Sequence, residues 1–169
     1  MKENILKKGF WTLLNRSVGA ALVFFSTLFF ARVLNVEEFG LFSLGLTMVT
    51  IISVIVRGGM DNVVLKQVAA NAIDNPAISN GYIYYPLIAV TMMGLFATAM
   101  LFFFAEFISE SIFVKPEMRA VLQLFSWLVL PMSIVFILSE ANKALGRAAY
   151  AAFFQSVLPP AITLFIVVF

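Results

Sequence analysis

The chain has no cysteine and no histidine among its 169 residues. Metal binding through the usual nitrogen and sulfur ligands is thereby excluded, and thiol or imidazole catalysis with it. Missing cysteine fits an oxidising and a reducing compartment equally well. Charge is scarce too, at 12% of residues, and no pair of carboxylates is placed for acid and base work. Neither a GxSxG elbow nor a phosphate-cradling GxxxxGKS or GxxxxGKT occurs. Nothing supports an enzyme, and no cofactor is expected. A formal net charge of +2 says little about partners. No basic cluster interleaved with aromatics points to nucleic acid. No loop is long enough to hold a soluble domain.

What the chain does have is apolar surface. Hydrophobic residues make up 62%, and the mean hydropathy is +1.01. That composition predicts an all-α integral membrane protein, because only a helix satisfies its own backbone in lipid within one short segment. A span needs about 20 mainly apolar residues. Five segments meet that length: residues 10–34, 38–57, 81–105, 118–141 and 148–169. The third is the cleanest, with no charge from Ile83 to Ala105, and the second is the shortest. Asn35-Val36-Glu37-Glu38, Asp74-Asn75-Pro76, Lys115-Pro116-Glu117 and Leu145-Gly146-Arg147 punctuate them. Pro86, Pro131 and Pro159-Pro160 predict kinks in the last three. The first segment follows Lys2, Lys7 and Lys8 but contains Arg16 and lacks a cleavage pattern, so it reads as an uncleaved span. Val167-Val168-Phe169 carries no interfacial anchor, and the chain is expected to continue.

Orientation follows from the cations in the short connections. Lys2, Lys7, Lys8, Lys66, Lys143 and Arg147 fall on one side, Lys115 and Arg119 on the other. The excess predicts a cytoplasmic N-terminus.

Charges inside spans normally face water or a partner, because burying one at the bilayer centre costs about 2.5 to 3.5 kcal/mol. Arg16 and Arg57 are expected at similar heights on antiparallel helices. Arg16 could equally snorkel to the headgroups. Arg32 reads as an outer anchor paired with Glu37 or Glu38. Polar residues recur at helical spacing on three segments: Thr12, Arg16, Gly19 and Thr27; then Ser43, Thr47, Thr50, Arg57 and Asp61; then Arg119, Gln123, Ser126, Ser133 and Glu140. Each stripe suits helix packing as well as a lined cavity. Charge on all three favours an aqueous interior. Arg57 and Asp61, four apart, either pair with each other or serve a ligand. Within one continuous helix Arg before Asp is the less favourable order, and Gly58-Gly59 between them predicts an interruption.

The lysine-rich lead, Ala31-Arg32-Val33-Leu34-Asn35-Val36-Glu37-Glu38-Phe39-Gly40 and the later Gly58-Gly59-Met60-Asp61 resemble the polysaccharide biosynthesis exporters. These are flippases for lipid-linked oligosaccharides in the multidrug/oligolipid/polysaccharide superfamily. Asn35 stands where that family usually has glycine, a departure that bears on the turn because Asn also tolerates positive φ. The resemblance implies a MATE-like fold of two bundles around a central cavity, of which this chain supplies most of the first. It implies transfer of an undecaprenyl-diphosphate-linked oligosaccharide across a bacterial or archaeal cytoplasmic membrane by alternating access. Arg16, Arg57, Thr12, Thr47, Thr50, Gln123 and Ser126 are then the expected substrate-binding residues, and Asp61 and Glu140 the ion-coupling or gating ones. The implied partners are the lipid-linked oligosaccharide, membrane lipid, and a polymerase with its chain-length machinery. A peptidoglycan-precursor flippase, a drug or cation antiporter of the same superfamily and a non-transporting scaffold are the alternatives. Arginine rather than acid within the helices disfavours the antiporter.

Overall fold

A computed structural model describes the backbone of residues 2–168 and the side chains of residues 9–166. Lys2, Lys7, Lys8 and the Val167-Val168-Phe169 end lie outside the described side chains. The described chain is helical from end to end: α1 Lys2–Val33, α2 Val36–Arg57, α3 Met60–Asn71, α4 Pro76–Phe103, the single turn α5 Ala105–Phe107 leading into a π-helical turn Ile108–Ile112, α6 Met118–Ala144, α7 Ala148–Ser156 and α8 Leu158–Val168. Five stretches are long and apolar enough to cross a bilayer, Gly9–Val33, Val36–Arg57, Pro76–Phe103, Met118–Ala144 and Ala148–Ile166. They match the five expected spans in number and order, with bounds shifted by up to five residues.

The ends follow from local chemistry. Asn35 caps α2 in a reciprocal box, its side chain accepting from Glu38 N at 2.9 Å while its own N–H donates to Glu38 Oε2 at 3.1 Å. Its φ is −71°. The turn therefore uses no positive φ, and asparagine stands there as a cap rather than as a glycine substitute. Pro76 opens α4 five residues earlier than the pattern suggests, since proline at the first helical position gives up no needed N–H. The expected interruption at Gly58-Gly59 is present, with φ of 49° and 81°. Both α4 and α6 run unbroken through Pro86 and Pro131, and the Pro159-Pro160 pair alone accompanies a break, at Val157.

The short helix α3 has no counterpart in the expected spans. Its signal was Met60, Val64 and Val68 at four-residue spacing; Val64 and Val68 are fully buried, and α3 packs on α4 and α6.

Helix α6 is the hub. It packs on α2, α3, α4, α7 and α8, and Leu122, Phe125, Leu128, Val129 and Ile137 form the centre of the core. Close approach to it is made by small residues: a Cβ on Gly45 of α2 would lie 2.4 Å from the Phe125 ring. Helix α1 is attached differently. It docks chiefly on α7 and α8 and barely touches α2. A Cβ on Gly19 would stand 2.3 Å from the Ser156 carbonyl oxygen, so α1 and α7 meet backbone to backbone. Asn15 Nδ2 adds a bond to Ala149 O at 2.8 Å. One flank of α1 is consequently left free to face whatever fills the space beside α2.

Candidate functional site

Helix α2 has two faces. Leu41, Gly45, Val49, Ser53 and Val56 are buried, at the four- and three-residue spacing that marks a packed stripe. Ser43, Thr47, Thr50 and Val54 lie about half a turn away and are exposed. The three hydroxyls donate to the carbonyls of Phe39, Ser43 and Leu46 at 2.9, 2.8 and 2.8 Å. Bonded in this way they need no partner helix, and their oxygens remain acceptors on the open face.

Beside this face α1 and α2 enclose a cleft of about 230 Å³, walled by Val23, Thr27 and Thr50 and floored by Met132 of α6 and Pro159-Pro160 of α8. Phe30 and Phe42 close one end of it, their ring centroids 4.5 Å apart. That contact sets the register of the two antiparallel helices. Arg16 stands fourteen residues from Phe30 and Arg57 fifteen from Phe42, so each lies roughly 21 to 23 Å along its helix from the shared contact. On antiparallel helices those counts put the two arginines at a similar height. Arg16 is exposed; Thr12, a turn before it, is half-buried.

Arg57 is buried, at 8% exposure. Its Nε donates to Ser53 O at 3.0 Å, its Nη1 to Asp61 Oδ2 at 2.7 Å, and its guanidinium lies 4.4 Å from the Phe136 ring centroid. Of the two readings left open by the spacing, the pair is therefore formed. The helix break removes the electrostatic objection to it. Arg57 closes α2 and Asp61 opens α3, so each charge sits at the favourable pole of its own helix dipole. Asp61 Oδ1 is buried without a hydrogen-bond partner.

The α6 stripe has a different fate. Ser126 and Ser133 are fully buried, donating to Gln123 O and Val129 O at 2.7 Å each, and Gln123 is half-buried. These serines are packing surface in the hub. Glu140, near the Arg57 end, pairs with Lys143 at 2.5 Å. Arg32 is exposed and pairs with neither expected acid. Glu37 is taken by Lys115 at 2.5 Å and Glu38 by the α2 cap. Among the described residues no group of three or more acids is placed to hold a metal ion.

Comparison with curated proteins finds no match, and comparison with solved structures finds none either. A family model does match: the pattern described as polysaccharide biosynthesis protein covers residues 5–169, which include all five spans and both walls of the cleft. The chain belongs to the polysaccharide biosynthesis protein family, as a multi-pass membrane member of it.

Proposed function

We propose that the protein carries a lipid-linked oligosaccharide, joined to its undecaprenyl tail by a diphosphate, from the cytoplasmic to the outer leaflet by alternating access. The observation that carries the reading is the exposed stripe of Ser43, Thr47 and Thr50, opposite the packed face of α2, with the exposed Arg16 of α1 and the buried Arg57 of α2 toward its α3 end. The stripe's hydroxyls are satisfied within their own helix, but Arg16 is an exposed charge inside a span, which lipid disfavours. The diphosphate would meet the arginines, which suit it through paired, charge-assisted hydrogen bonds. Sugar hydroxyls would meet the acceptor oxygens, and the prenyl chain would stay in the bilayer. The excess of Lys66, Lys143 and Arg147 at the Arg57 end favours a cytoplasmic side there, where the substrate would be loaded. A polymerase would consume the exported repeat.

Export in cells tests the reading. Arg57→Glu should abolish it, Arg57→Lys should keep part of it because charge survives without the planar fork, and Arg32→Gln should be nearly neutral. Equal export by the Glu and Lys variants at normal protein levels would reduce Arg57 to an anchor. In a cysteine-free background, Arg16→Cys and Thr47→Cys should react with a membrane-impermeant thiol reagent from the cytoplasmic side. Phe24→Cys, on the apolar side of α1, should not.

A further inference from the structure

Arg57 is held on three sides by parts of unequal firmness. Its Nε is fixed by Ser53 O of its own helix, and its plane is fixed by Phe136 of the hub helix. Neither support depends on Asp61. Asp61, by contrast, arrives from α3 across two glycines of positive φ. Its side chain is 28% exposed, it engages Arg57 through Oδ2 alone, and its Oδ1 is buried with no partner. The cation is thus fixed and the anion half-satisfied. Lys143, the nearest cation on α6 in sequence to Phe136, is occupied by Glu140.

We propose that Asp61 is a built-in stand-in for the substrate's anion: it occupies the Arg57 guanidinium when no ligand is bound and leaves it when a diphosphate arrives. The inference rests on the function proposed above. An unpaired arginine at this burial is costly, so an empty transporter needs a counter-charge on it. A diphosphate brings several anionic oxygens to the same donors, against the single oxygen that Asp61 supplies. Carboxylate and diphosphate repel, so the two compete for one cation instead of sharing it. Asp61 therefore lowers affinity for the headgroup and raises the ease of its release, which a carrier that must let go of its cargo requires.

The test is binding of farnesyl diphosphate to the full-length protein in nanodiscs by titration calorimetry, with farnesol as the control for the tail. Asp61→Asn, which removes the competing charge and keeps the shape, should tighten binding about tenfold. Arg57→Gln should weaken it strongly, and adding Asp61→Asn to Arg57→Gln should restore nothing, because the competitor acts only through Arg57. Should Asp61→Asn fail to fold, Asp61→Ser removes the same charge and gives the same readout. Unchanged or weaker binding by a folded Asp61 variant, or loss of folding in both, makes Asp61 a structural brace and overturns the proposal. No diphosphate binding by the wild-type protein overturns the function beneath it.

Discussion

Helices α1 and α6 are both long membrane spans with polar residues at helical spacing, yet 44% of the most apolar part of α6 is buried inside the protein and only 11% of that of α1. The same kind of stripe therefore means different things on the two. Ser126 and Ser133 let neighbours come close to the hub. Val23 and Thr27 wall an open cleft on a helix fastened by one edge. Polarity on a membrane helix tells that the residue avoids lipid; neighbours decide whether it meets protein or water.

The sharpest way to break this comparison is to place the same new charge on each stripe. Ser133→Asp buries an unpaired carboxylate in the hub and should cost about 3 kcal/mol or more, enough to empty the monodisperse peak in size-exclusion chromatography. Thr47→Asp, on the exposed face of α2, should leave that peak intact while reducing export. If both variants aggregate alike, the α2 stripe faces lipid and the cleft reading fails.

A second substitution attacks the fastening of α1. Gly19→Ala sets a methyl against the Ser156 carbonyl, a backbone atom that has little room to yield. Overpacking of this kind costs about 1 to 3 kcal/mol. Thermal melting in detergent should fall accordingly, and disulfide cross-linking between α1 and α7 should drop while cross-links between α2 and α6 persist. A smaller effect is expected from Asn15→Leu, which removes the bond to Ala149 O. Interhelical hydrogen bonds in membranes average about 0.6 kcal/mol, so melting should move only slightly and in the same direction.

The smallest effect belongs to the far end of the bundle. Lys115 is held above its ordinary value of 10.5 by its hydrogen bond to Glu37 and by that residue's charge. A raised lysine contributes stability that is present below its unfolded pKa and lost as pH rises through the folded one. Wild type should thus exceed Lys115→Met marginally at neutral pH, with the difference vanishing above the raised pKa and shrinking in salt. A melting series from neutral to strongly alkaline pH, at low and high salt, measures it.

Much of this was legible in the linear pattern. Five runs of sufficient length fixed the number and approximate bounds of the spans, since bilayer thickness sets that length and admits few exceptions. Arg57 and Asp61 stood out because charge beside an apolar run is rare. Helix α3 escaped notice because Met60, Val64 and Val68 make too short and too polar a pattern to resemble a span. The pairing of Glu37 with Lys115 rather than Arg32 was also hidden, since it joins residues 78 positions apart.

By itself, then, the sequence determined that the chain lies in a membrane, how many spans it has and roughly where they fall, and which few charges need an explanation. These are local properties of hydropathy and capping. Only the tertiary structure decided which stripe is core and which is open, because burial depends on neighbours brought from elsewhere in the chain. It also decided that Arg57 and Asp61 pair with each other, one of the two readings their spacing left open. The break at Gly58-Gly59 is written in the sequence, but the Phe136 ring that holds the guanidinium comes from a helix 79 residues further on.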